Sequence, residues 1–148
     1  MNEAIFLAYL QHGSDHDALA AATVLFAWIP VHLGPIEWES QKSRNVAKAR
    51  GKVKVISGGR EFTLFSLRHE GYVSISFEDL SRQCEPQVLE ELKMKLRRLE
   101  GWNYTMDEMK RWIDKYGMNY LADEETMAEF KSIWQWFLAA TRKSETTS

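Results

Sequence analysis

At 148 residues, with 45% apolar side chains that include six Trp and seven Phe, the chain suits one domain burying roughly 70% of its unfolded surface, and disorder is excluded for most of it. The net charge of −2 does not by itself point to a partner, but a pI of about 6.1 argues against a dedicated nucleic-acid binder. The single cysteine, Cys84, cannot form an internal disulfide, which favours a reducing, cytoplasmic compartment.

Glu3 to Gln11 is apolar at Ile5, Phe6, Leu7, Tyr9 and Leu10, and Gly13 suits the position after a helix C-terminus. The run reads as helix, with a buried strand as the alternative that a short apolar stretch does not separate by period. Ser14 reads as the N-cap of a second helix, with Asp15 and Asp17 as acids favourable to the helix dipole. That helix runs from Ala18 to Ile29 and stops at Pro30. Ala18 to Ile36 is uncharged for 19 residues, but Pro30, His32, Gly34 and Pro35 interrupt it, so a buried helix is expected and no membrane span. The N-terminus is not read as a secretory signal, because no Lys or Arg precedes Lys42. The two helices form a hairpin suited to pack on a sheet. Pro30 to Pro35 is a loop, IEWES (36–40) a short edge strand, and Lys42 to Gly51 a basic helix or exposed loop ended by its glycine.

The centre of the fold is Lys52 to Phe77. VKVIS, REFTLFSLR and YVSISF are β-rich runs separated by Gly58-Gly59 and Glu70-Gly71, the pattern of an antiparallel meander. In the first run Val53 and Val55 oppose Lys52 and Lys54; in the last, Val73, Ile75 and Phe77 oppose Tyr72, Ser74 and Ser76. The middle run does not alternate. Phe62 and Leu64 fall on one face of a regular strand and Phe65 and Leu67 on the other, which demands cover on both sides from a second helical layer, a partner subunit or a ligand.

Downstream, Pro86 opens a helix with Leu89, Leu92, Leu96 and Leu99 on one stripe and Glu91–Lys95 as an i,i+4 pair, closed by Gly101. Thr105 and Glu108 form a capping box before a helix whose apolar face is Met106, Met109, Trp112, Ile113 and Tyr116, closed by Gly117. Asp123 caps a last helix carrying Met127, Phe130, Ile133, Trp134, Trp136, Phe137 and Leu138. The expected fold is α+β: an N-terminal helical hairpin, a three- or four-stranded antiparallel meander and three C-terminal helices. It forms one domain over 1–140, with a frayed polar tail over 141–148.

Three stretches are candidate sites. Residues 1–40 sum to −5, residues 41–60 to +7 and the remainder to −4. The positive block holds Lys42, Arg44, Lys48, Arg50, Lys52, Lys54 and Arg60 without an acid, and would attract phosphates, with Trp38 and Tyr72 as stacking surfaces. The alternative is a solvated edge whose lysines deter strand pairing. His12, Asp15, His16 and Asp17, with His32 elsewhere, are metal-ligand types. Were Ile5–Leu10 a strand, HGSDHDALAAA would resemble the strand-loop-helix of DHH phosphoesterases, which carries an Asp-x-Asp pair and implies metal-dependent phosphoester hydrolysis. The likeness covers little more than residues 12–22: its His is displaced, Ala18 stands where that family has glycine, and no DHH triplet follows. Helix capping accounts for the acids without a metal.

The third candidate is the last helix. Phe130, Trp134 and Phe137 share a face and Trp136 widens the arc, so the helix is either central to the core or presents a protein-binding surface. Cys84 reads as a buried apolar residue rather than a nucleophile, and His69 as an exposed turn residue. Glu37, Glu39 and Lys42 have the wrong spacing for a metal-dependent nuclease, and Gly58-Gly59 is a hairpin turn rather than a phosphate cradle. With no reactive constellation and no cofactor motif, the sequence points to a non-catalytic binding protein acting through a protein interface, such as an inhibitor, antidote or adaptor, or through self-association as a homodimer. Nucleic-acid binding by the basic run is the alternative and metal-dependent phosphoesterase activity the third reading.

Overall fold

A computed structural model describes residues 3–13, 15–43, 46–57 and 60–146, with the side chains of 39–50, 56–60 and 142–146 outside the description. The architecture is α+β. Helices α1 (Glu3–His12) and α2 (His16–His32) lead into strands β1 (Ile36–Ser43), β2 (Val46–Ser57), β3 (Arg60–Arg68) and β4 (Tyr72–Ser76). Helices α3 (Phe77–Ser81) and α4 (Pro86–Leu96) precede strand β5 (Trp112–Gly117), a 3-10 turn (Met118–Ala122) and helix α5 (Glu124–Thr146). The five strands form one antiparallel sheet in chain order.

The N-terminal run is helix, not strand, because it buries Phe6 and Leu10 one turn apart and ends with the Gly13 N–H donating to Tyr9 O at 3.1 Å. The cap of α2 is Asp15, whose Oδ1 accepts from the Ala18 N–H at 2.9 Å; Ser14, the expected cap, lies outside the described residues. The helix also runs past Pro30. Proline lacks the N–H of one ladder bond, but the last turn is restored by the N–H groups of Leu33 and Gly34, which both donate to Ile29 O at 2.8 and 3.1 Å.

The stretch expected as a basic helix or loop belongs to a hairpin instead. IEWES extends to Ser43 as β1, and β2 pairs with it from Ser43↔Val46 to Ile36↔Val53. Gly51 ends nothing; it lies inside β2, where an added Cβ would stand 3.4 Å from the Trp38 ring, so the glycine leaves room for that ring to pack on Phe26 at 5.2 Å. The Gly58-Gly59 turn lies outside the described residues.

The middle strand resolves its own conflict through a β-bulge. Val53 pairs with Phe65, but the next residue, Lys54, pairs with Thr63, so Leu64 has no partner on β2. Directly opposed residues share a face, so Phe62 opposite Val55 returns to the side of Phe65 and Leu67. All four apolar side chains are buried. The expected second layer, subunit or ligand is therefore not required. On this apolar side α2 packs over the β1–β2 end through Phe26 and Trp38, while α5 packs over β3 through Phe65, Phe130 and Trp134. The other side of the sheet is polar and open.

The helix expected over 105–117 is replaced by a strand. The capping box forms: the Thr105 N–H donates to Glu108 Oε1 at 3.0 Å and the Glu108 N–H to Thr105 Oγ1 at 3.2 Å. The helix ends after one turn, however, and Trp112–Gly117 becomes the edge strand beside β4. A second bulge sits here, since Val73 pairs with Tyr116 but Ile75 with Ile113. Ile113 and Tyr116 thus share the core face at a spacing of three, and Trp112, opposite Ser76, points to the open face. Three local expectations hold. Pro86 opens α4, its leucine stripe is buried, and Asp123 caps α5 by accepting from the Thr126 N–H at 3.0 Å. Lys95 reaches over the Trp136 ring at 4.8 Å. Helix α5 continues through Thr146, and Thr141 is buried.

Candidate protein-interaction surface

Helix α2 carries no ionised side chain between Asp17 and its C-terminal His32. Its inner side buries Ala18, Ala21, Ala22, Leu25, Phe26 and Ile29. The outer side of a surface helix ordinarily carries charge. Here it carries Ala20, Thr23, Val24, Ala27 and Val31, with Val24 43% and Val31 76% exposed. The Thr23 hydroxyl is turned back onto the helix, donating to Leu19 O at 2.8 Å. Trp28 stacks on His32 at 5.2 Å, and the Lys131 ammonium lies over its ring at 5.5 Å.

Beside this face is a groove of about 290 Å³ between α2, the 3-10 turn and α5, lined by Ala20, Val24, Leu121, Met127 and Ala128. Only Glu124 and Lys131 bring charge to its lining. They stand on α5 two turns, about 10 Å, apart. The uncharged run was legible in the sequence as a buried helix; what the sequence hid is that half of it faces out.

The aromatic set on α5 is placed differently from a surface. Phe130, Trp134 and Phe137 are fully buried, with Trp134 5.0 Å and Phe130 5.3 Å from the Phe65 ring. They hold the helix to the sheet. Trp136 alone of the four is half-buried.

The basic run is partly neutralised by neighbours on adjacent strands. Lys54 sits between Glu37 on β1 and Glu61 on β3, the latter at 3.0 Å, and the hydrogen bonds its ammonium donates to both carboxylates raise its pKa. Its charge is already compensated, which weakens a phosphate site centred on it. Lys52 lies on the open face of the sheet. Arg44 lies outside the described residues, as do the side chains of Lys48, Arg50 and Arg60.

Asp15 is spent on capping, and His12, His16 and Asp17 are exposed. Among the described residues no group of three or more His, Cys, Asp or Glu is arranged to hold a metal ion. The Cys84 thiol donates to Leu80 O at 3.3 Å, and burial, aided by Glu85, pushes its pKa up to about 11. It is a poor source of thiolate. His69 is more covered than a turn residue need be, with its ring 4.9 Å from Tyr9.

No protein family, no curated protein and no solved structure matches the chain. No helix among the described residues is long and apolar enough to cross a membrane.

Proposed function

We propose that the protein acts by protein–protein contact, as an adaptor or inhibitor would, that the outer face of α2 and the groove beside it form the contact, and that a second copy of the chain occupies it. The exposed, charge-free α2 face is the observation that carries this reading. An apolar side chain the size of Val gains about 1.5–3 kcal/mol when fully withdrawn from water, so Val24 and Val31 left bare are a standing drive to association. Charge favours a copy of itself as occupant. A two-fold axis crossing α5 at right angles midway between Glu124 and Lys131 would set each protomer's Glu124 against the other's Lys131, so one acid and one base two turns apart suit a self-complementary contact. The single, half-buried cysteine with a suppressed thiolate suits the cytoplasm.

Sedimentation velocity from about 1 to about 300 μM tests the reading. A dimer is expected for the wild type and a monomer for Val24→Glu/Val31→Glu, with the far-ultraviolet circular dichroism spectrum retained because both positions are exposed. A wild type that stays monomeric across the range overturns it, as does a dimer that the double substitution leaves intact.

A further inference from the structure

We propose that the open face of the sheet binds a neutral, polyhydroxylated ring, a pyranose unit of a saccharide, in the cleft where β3 and β4 part. The ladder between these strands holds three pairs, Ser66↔Ser74, Leu67↔Val73 and Arg68↔Tyr72. Beyond them the strands separate, and α3, which follows β4 directly, packs against β3. The opening is a cleft of about 270 Å³. Small-molecule sites occupy roughly 300–1,000 Å³, so this one has room for a single ring.

The lining selects the chemistry. Trp112 borders the cleft with 57% of its surface exposed, an apolar platform held on a strand. The hydroxyls of Thr63, Ser66 and Ser74 line it too, and none has a side-chain hydrogen bond to another described residue. Ser66 is 8% exposed, and a ligand hydroxyl can take the place of water on its side-chain oxygen. Lys52, Asp79 and Asp114 bring charge of both signs to the wall, each aspartate beside an arginine, Arg82 at 3.5 Å and Arg68 at 3.6 Å. The aspartates offer spare lone pairs without an uncompensated charge. An ion of either sign would meet its own charge in this wall, an anion at Asp79 and Asp114 and a cation at Lys52 and the two arginines, and an apolar ligand would leave the three hydroxyls unanswered. A sugar ring presents a C–H face to Trp112 and hydroxyls to everything else. The cleft shares no residue with the α2 groove.

The test is a nitrogen–proton NMR titration of the full chain with the methyl glycosides of glucose, galactose, mannose and N-acetylglucosamine, beside a nucleoside and inorganic phosphate. Saturable shifts of the Trp112 indole N–H and the Ser66 and Ser74 amides are expected with at least one glycoside. Trp112→Ala should weaken that binding about tenfold or more while leaving the melting temperature in place. Ser74→Ala, as a second variant, should weaken it less. A trisaccharide that binds tighter than its methyl glycoside marks a unit within a glycan; equal affinity marks a free sugar. The proposal is overturned by no saturable shift up to about 100 mM glycoside, by shifts that survive Trp112→Ala unchanged, or by binding of the nucleoside or phosphate alone.

Discussion

Leu64→Ala tests the bulge in β3 most directly. A regular strand would set Leu64 beside Ser66 on the open face, where truncation changes little. The register shift after Val53 instead leaves it unpaired with a side chain 0% exposed. Truncation removes three carbons at about 0.8 kcal/mol each and leaves a cavity, which together cost about 3 kcal/mol. With a urea dependence of about 2 kcal/mol per molar, the unfolding midpoint falls by about 1.5 M. The melting temperature falls by roughly 6–12 °C. Ser66→Ala is the control. It removes a hydroxyl without a partner among the described residues, so it should be neutral or slightly stabilising. The assay is equilibrium urea unfolding followed by far-ultraviolet circular dichroism and tryptophan fluorescence, whose coincidence checks two-state behaviour. A loss below about 1 kcal/mol for Leu64→Ala would refute the reasoning, because it would put Leu64 in solvent and Phe62 on the face opposite Phe65.

Two further outcomes follow from α5. Trp134→Ala empties a buried ring site against Phe65 and should cost about 3–5 kcal/mol, whereas Trp136→Ala gives up a half-buried ring and its contact with Lys95, about 1–2 kcal/mol. Thermal melts of the two variants giving the reverse order would sink that assignment. Asp123 is held below its ordinary pKa chiefly by the backbone N–H of Thr126 and then by its hydroxyl. A depressed carboxyl stabilises the fold above its ordinary value and loses that contribution as pH falls through the lowered one. The melting temperature of Asp123→Ala should therefore lie below wild type at pH 7 and approach it below about pH 4; a gap that does not narrow contradicts the cap.

What could be read from the sequence was local. The Asp123 cap, Pro86 in a first turn, the Thr105–Glu108 box and the leucine stripe of α4 each involve residues a few positions apart, and each is found as expected. The alternation in β4 was legible for the same reason. Misreadings arose where a bulge changed the interval. An extra residue separates core positions by three instead of two, as between Phe62 and Phe65 and between Ile113 and Tyr116. Three is also a helical interval, so Met106, Met109, Ile113 and Tyr116 read as one helix face. The capping box even closes, but around a single turn. What stops the helix is long-range: without β5, the buried strand β4 would lack a ladder partner on one edge.

The same distinction explains α2. Hydropathy reports that a helix lacks charge, not how many of its sides have something to lie against. Phe26 and Ile29 face inward and Val24 and Val31 outward, yet all four contribute equally to an uncharged run. Deciding between them needs the inventory of neighbours. Helix α1, the 3-10 turn and Trp38 of β1 lie against α2, while Val24 and Val31 stay exposed. The Val24–Val31 surface is therefore a property of the assembled fold, and an apolar surface left over after every element has been placed is where a partner is to be sought.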